Sequence, residues 1–387
     1  MKQAVLFGGG NIGRSFITPV FQDAGYKMTI IDMNRELIQD LRDKKQYTII
    51  ICENDKQTET VINGFQSLSL DESVQIREVL LSADIVISSV GQWGLPAVMA
   101  LIAKVLPQRI ENSVNHPLDI ILAENIPGGG EYCRSFLREQ LSAEFPPEKI
   151  PGIVETSIGK MVPFISEDDR AIDPLRVYAE PYNTLILDRE GFKGEYPISQ
   201  DIKLVSPIQA YVDRKLYIHN LGHAAAAYLG RSSHSEMKTI CEVLADPEIL
   251  NKVRSLMLQC AAALIQEYSG VFTREELEEH VEDLLFRFRN PSLGDSVQRV
   301  GRDLKRKLAP QDRICGAMRL ILKHQMPADA LGEVYRASLS FGLSNEADQE
   351  DREICRDAAA QGIIGIYRSL SSLGDKWDKQ IENLLVL

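Results

Sequence analysis

The run QAVLFGGGNIGRSF, Gln3–Phe16, passes from a short apolar stretch through three glycines into helix-forming residues. Gly8, Gly10 and Gly13 fit GxGxxG in the strand–turn–helix setting that gives this motif weight. The first glycine permits a tight turn, the second lets the backbone approach a pyrophosphate, and the third allows close helix–strand contact. The helix that opens at Asn11 and Ile12 adds its partial positive charge to the same site. A second apolar run, KMTIID, ends at Asp32, where an acidic residue would accept the adenosine ribose hydroxyls. A carboxylate there repels a 2′-phosphate, so the expected cofactor is NAD; the nearby Arg35 is the one feature that would admit NADP.

Working outward, DIVISS and DIILAEN continue the alternation of strand and helical patterns that marks βαβ units. The expectation is an α/β Rossmann-type domain over residues 1–200 with a mostly parallel sheet. It carries a hairpin insertion near 46–70 and further strands over 151–190 that extend the sheet. From Ser206 the period becomes helical, which predicts an all-α domain over 201–387. Ligands bind at the carboxyl ends of parallel strands. Ser89 and Val90, at the end of DIVISS, would therefore approach the cofactor ribose, or else form an ordinary tight turn. Asn125 would aim its amide at the reacting carbons, or cap the next helix.

Composition narrows the class of protein. The chain has 387 residues, 44% hydrophobic and 25% charged, and a formal charge of -12. That charge opposes nucleic-acid binding. The six cysteines are scattered without a CxxC pair, as in reduced cytosolic proteins, and no apolar run is long enough to span a membrane. The apolar run after Met1 is too short for a signal peptide, so the cytoplasm is the expected compartment. The histidines and cysteines show no metal-ligand spacing.

The segment KLYIHNLGHAAAAYLG, Lys215–Gly230, sets three polar side chains beside four alanines. Ser206-Pro207-Ile208-Gln209 reads as an N-cap, a proline at the first helical position and a capping-box glutamine, with Gly230 as the stop. At about 100° per residue, Lys215, Asn220 and His223 share one side of the helix. They form either a solvated face or a catalytic platform. For the platform, a shielded lysine loses its preference for the charged form and can serve as general base. Asn220 and His223 would donate to the developing oxyanion. Tyr211 and Lys215 also form YxxxK, but outside the nucleotide-binding domain where short-chain dehydrogenases carry that pair. A basic run follows at Arg299, Arg302, Lys305, Arg306 and Lys307. On a continuous helix Arg299, Arg302 and Arg306 would share a face, either as an anion site led by Arg299, with Arg302 second, or as a solvated surface.

Lys215-xxxx-Asn220-xx-His223, FGGGNIGRSFI and FRNPSLGDSVQRVGRDLKRKL together resemble the polyol-specific long-chain dehydrogenases. The resemblance implies a metal-independent, NAD-linked oxidation with lysine as base, the asparagine and histidine on the reacting oxygen, and Asn125 completing that site. It implies mannitol 1-phosphate and fructose 6-phosphate as substrates, with basic residues of 299–306 contacting substrate. Asn290 and Asp295 match structural positions of the family. A monomer or small homo-oligomer acting on a small molecule is expected. Ile158-Gly159-Lys160-Met161-Val162-Pro163 and Leu185 depart from the family pattern near the expected substrate, which keeps unphosphorylated polyols and hexuronates as alternatives. A non-catalytic NAD-binding sensor is a third reading, disfavoured by the intact Lys215, Asn220 and His223.

Overall fold

The computed structural model describes residues 2–386 apart from 115, 125, 127, 164–170, 235 and 343–346. The chain forms two compact units, Met1–Tyr211 and Val212–Leu387. Among the described residues no helix is long and apolar enough to cross a membrane.

The strands of the first unit begin with β1 (Gln3–Phe7), β2 (Lys27–Asp32), β3 (Gln46–Glu53), β4 (Lys56–Asn63), β5 (Gln66–Ser69), β6 (Ile85–Ser88), β7 (Asp119–Leu122) and β8 (Gly152–Val154). Six of them build a sheet in the order β5-β2-β1-β6-β7-β8, parallel at every pairing. The inner strands β1, β2, β6 and β7 are covered on both faces, which is why they read as largely apolar runs. Alternate residues of β1 feed opposite layers: Ala4 and Leu6 pack with Phe16, Val20 and Met28, whereas Val5 and Phe7 pack with Val86, Met99 and Ile120. Each such large side chain contributes about 1.5–3 kcal/mol by leaving water. Strand order reverses at β1, between β2 and β6, so the carboxyl ends of those strands flank the switch point where α/β sheets bind ligands.

The added strands differ from expectation. Only β3 and β4 form the hairpin, turning at Asn54, while β5 returns to the edge of the main sheet beside β2. Among the described segments over 151–190, only β8 extends that sheet. β10 (Val177–Ala179) joins β3, and β9 (Thr156–Ser157) and β11 (Leu185–Asp188) form a third sheet with β12 (Ile202–Val205). The hairpin offers β10 an unpaired edge, and backbone groups at an edge are satisfied wherever such a partner lies.

The second unit is helical. Its principal helices are Leu221–Ser233, Pro247–Glu267, Arg274–Phe288 and Asp329–Phe341. Thr273 and Glu276 close a capping box at the third, and the Asp246 carboxylate accepts the Glu248 and Ile249 amides at the second. Ala224–Ala227 are buried, and glycines bracket them. A Cβ on Gly222 would lie 2.5 Å from the Met257 sulfur, and one on Gly230 would lie 2.4 Å from the Val243 side chain. Gly230 is therefore a packing residue, and the helix continues to Ser233 instead of stopping there. The start also differs: the first turn is Ile208–Arg214, after a cis Ser206–Pro207 bond, and the Ser206 hydroxyl donates to Glu190.

Gly230→Ala should overpack Val243 at about 1–3 kcal/mol, partly offset by the roughly 1 kcal/mol that alanine gains over glycine inside a helix. We expect a lowered denaturation midpoint. In a Val243→Ala background the same substitution should become neutral or stabilising, and identical effects in both backgrounds would refute the contact.

Candidate active site

In the first unit, the turn after β1 is shaped by what lies against it. Gly8 has φ +100°, and a Cβ there would sit 2.2 Å from the Ser89 carbonyl oxygen. A Cβ on Gly13 would sit 2.1 Å from the Gly8 carbonyl oxygen. These two glycines are filled by the protein itself. Gly10 differs: a Cβ there meets nothing within 4 Å. Open space at the middle glycine, at the start of the helix through Asn11 and Ile12 whose first amides lack intrahelical acceptors, fits a pyrophosphate.

Asp32 has a second task besides the expected one. Its Oδ2 accepts the Gly9 amide at 2.7 Å and its Oδ1 accepts the Asn34 amide at 2.8 Å. The carboxylate thus pins the glycine turn to the end of β2, with lone pairs left for ribose hydroxyls. Arg35 is paired with Asp71 at 2.8 Å, which competes with any role in holding a 2′-phosphate. Arg14 is buried and donates to the Gly9 carbonyl at 2.7 Å and the Leu175 carbonyl at 2.6 Å.

At the ends of β6 and β7, Glu124 Oε1 accepts the Ser88 hydroxyl and the Val90 amide, both at 2.8 Å. The turn through Ser89 and Val90 is therefore braced by a carboxylate that sequence reasoning had left without a role. Its other oxygen, Oε2, is buried without a hydrogen-bond partner among the described residues. The neighbouring Asn125 lies outside the described residues. The two departures from the family pattern are absorbed internally. Leu185 is fully buried in the core, and Lys160 is buried with its ammonium donating to the Tyr182 carbonyl at 2.8 Å and Asn183 Oδ1 at 2.9 Å.

In the second unit the helix from Ile208 widens into a π-turn over Lys215–Asn220 before resuming as Leu221–Ser233. Such turns bond i to i+5, so Asn220 follows Lys215 by one wide turn instead of lying roughly 140° around an α-helix. Lys215 is half-buried. Burial, and then the charge of Arg313, bring its ammonium down from the usual lysine range to about 7. His223 stacks on Phe288 with centroids 4.6 Å apart, and its Nε2 lies 3.0 Å from the buried Asp295 Oδ2. The ring is thus fixed on two sides, and the protonation of Nδ1 decides whether it donates or accepts. His219, on the same turn, is buried and held well below the usual histidine range by that burial, and then by Arg287 and Lys215.

The basic run is not one helical face. It breaks into Val297–Gly301 and Leu304–Lys307 around Asp303, whose φ is +69°. The buried Asp351 causes the break by accepting the Asp303 and Leu304 amides at 2.9 and 2.7 Å. Arg299 pairs with Asp295, and Arg306 pairs with Asp303 at 2.5 Å. Lys305 pairs with Glu350 at 2.9 Å. The buried Lys307 donates to the Val300 and Arg302 carbonyls, and burial brings it down to about 7. Arg302 alone of the five is exposed with no side-chain partner among the described residues. Asp295 and Arg313 are site residues that sequence reasoning missed as such. Position within NPxxxD hinted at the first, and nothing local marked the second. Among the described residues no group of three histidine, cysteine or acidic side chains is placed to hold a metal.

Residues 2–200 match the mannitol dehydrogenase Rossmann domain family and residues 207–364 the mannitol dehydrogenase C-terminal domain family. The mannitol-1-phosphate 5-dehydrogenase of Shouchella clausii is 32% identical over 373 residues, 96% of each chain. That of Geobacillus stearothermophilus is 33% identical over 316 residues, covering 81% of this chain and 80% of its own. Among solved structures, Pseudomonas fluorescens mannitol 2-dehydrogenase in ternary complex with NAD and D-mannitol superposes with a TM-score of 0.75 at 15% identity, covering 99% of this chain and 90% of that one. A D-sorbitol dehydrogenase in substrate-free form gives 0.79 at 13% identity, covering 99% and 91%. At these identities the two structures share the fold.

Gly10→Ala should melt like the wild-type protein yet bind NADH at least about tenfold more weakly, about 1.4 kcal/mol. Gly8→Ala should lower the melting temperature outright, because its Cβ collides with backbone. Calorimetric melting and NADH titration of both variants check the contrast, and unchanged NADH affinity in Gly10→Ala would remove the pyrophosphate from that space.

Proposed function

This chain belongs to the mannitol dehydrogenase family of NAD-linked oxidoreductases acting on CH–OH groups, and from that premise we propose that it interconverts mannitol 1-phosphate and fructose 6-phosphate. The observation that carries the mechanism is the Lys215 amine, brought down to about 7 on the same wide turn as Asn220, with His223 in the helix that continues from it. Bound NAD supplies the acceptor for the hydride that leaves the carbinol carbon. Lys215, as the neutral amine, takes the hydroxyl proton. The Asn220 amide donates to the oxygen as negative charge builds there, a contribution typically of about 3–4 kcal/mol. His223, braced by Asp295 and Phe288, holds the same oxygen through Nδ1. In the reverse direction the lysine returns its proton to the carbonyl oxygen. Asn125 is assigned beside that oxygen from the family resemblance.

The phosphate is assigned to the segment after Asp295. Arg302 is the foremost contact there, ahead of the Arg299 favoured by sequence, because Arg299 is already paired with Asp295. The relatives that bear the name mannitol-1-phosphate 5-dehydrogenase support this substrate.

Two outcomes are expected. Polyol oxidation should rise with pH through about 7 and level off above it, because only the neutral amine accepts a proton; ketose reduction should fall through the same region. Lys215→Ala should abolish both while NADH still binds, and a retained ionisation in that variant would exclude lysine as the base. In NADH-coupled assays fructose 6-phosphate should surpass fructose, and Arg302→Ala should cut kcat/KM for the phosphate ester by roughly 10- to 150-fold, about 1.5–3 kcal/mol, with little effect on fructose. Equal rates with fructose or a hexuronate would overturn the phosphorylated substrate.

A further inference from the structure

The segment Asp312–Gly316 is docked against the wide turn that carries Lys215 and Asn220. A Cβ on Gly316 would lie 2.8 Å from the Tyr217 ring, so the backbone entering the helix Cys315–Lys323 abuts the middle of that turn. The Gly316 amide donates to the Asp312 carbonyl at 2.8 Å and fixes the segment's own shape. Between these contacts lies Arg313, a buried arginine. Its Nε and its backbone amide both donate to Asp312 Oδ1 at 2.7 Å, while Nη1 reaches the Asn220 carbonyl at 3.5 Å. Guanidinium groups are not deprotonated in proteins, so this charge is permanent.

Several titratable groups face the same turn. Asp213, on the preceding turn, accepts the Tyr268 hydroxyl at 2.5 Å and faces Tyr217. Asp312 and Arg319 also face Tyr217, as does Cys260 of Pro247–Glu267, whose thiol burial pushes up to about 12. Arg287 and His280 of Arg274–Phe288 face His219, together with His223. The cation that bears on Lys215 itself is Arg313.

We propose that Arg313 is a positioning residue for proton transfer, anchoring the wide turn at the Asn220 carbonyl and holding a fixed positive charge beside Lys215. This rests on the reading of Lys215 as the base. Arg313 acts through its neighbours: the carbonyl anchor fixes the backbone from which the Asn220 amide projects, and the charge disfavours protonation of the amine next to it. Lysine could supply the charge but not the planar fork that reaches Asp312 and the Asn220 carbonyl together.

The test is the pH profile of polyol oxidation. In Arg313→Met the rising limb should move to higher pH by at least about half a unit, since loss of a neighbouring cation favours the ammonium form of Lys215. In Arg313→Lys the limb should stay near its wild-type position while kcat falls, with KM for NAD unchanged in both variants. A residue that merely stabilised the fold would lower the melting temperature and leave the limb in place. If Arg313→Met does not fold, Arg313→Gln keeps a donor for the Asn220 carbonyl without the charge, and the limb must rise there too. A limb that vanishes in Lys215→Ala but does not move in folded Arg313→Met or Arg313→Gln overturns this proposal alone. A limb that survives Lys215→Ala overturns the base assignment instead.

Discussion

An ammonium group moved from water into a packed helical interior loses several kcal/mol of hydration unless it is paired, and Lys215 has no carboxylate to pair with among its described contacts. The charge that bears on it is that of another cation, Arg313. The group resolves the conflict by giving up its preference for charge, which places it near neutrality. Much of the surrounding unit serves that state. In the helix that follows, Gly222 and Gly230 let Met257 and Val243 pack directly against the backbone, and Ala224–Ala227 are buried between them. The acidic groups nearby are already committed, Asp312 to Arg313, Asp295 to His223 and Arg299, and Asp213 to Tyr268.

The nucleotide-binding unit answers a different constraint, close approach of backbone to a charged group. Two of its three motif glycines are needed because the protein already occupies the space where a side chain would go, and the middle one because that space is open. The same economy appears in Asp32, whose carboxylate holds the glycine turn to the end of β2. Glu124 does the corresponding work on the other side of the switch point, tying the ends of β6 and β7.

The basic segment illustrates how charge and backbone compete. Five cations within nine residues, Arg299–Lys307, would repel one another on a regular helix. Asp351 breaks that helix at Asp303, and separate carboxylates take up Arg299, Lys305 and Arg306. Lys307 turns inward and fastens the break by binding the Val300 and Arg302 carbonyls. The exposed cation left without a side-chain partner among the described residues is Arg302, between the two short helices.

The sequence by itself determined the parts that rest on local rules. Buried parallel strands read as apolar runs, and GxGxxG before a helix reads as a nucleotide turn. Tertiary structure decided what depends on partners distant in the chain. β10 joined β3 instead of extending the main sheet because the hairpin edge was open. Gly230 became a packing residue because Val243 lies against it, where the local pattern read it as a helix end. The basic run lost its common face because Asp351, some fifty residues on, broke the helix at Asp303. Arg313 was silent in the sequence for the same reason: its significance lies in a carbonyl ninety-three residues earlier. Periodicity records which face of an element is apolar, but not which charge will stand opposite it once the chain has folded.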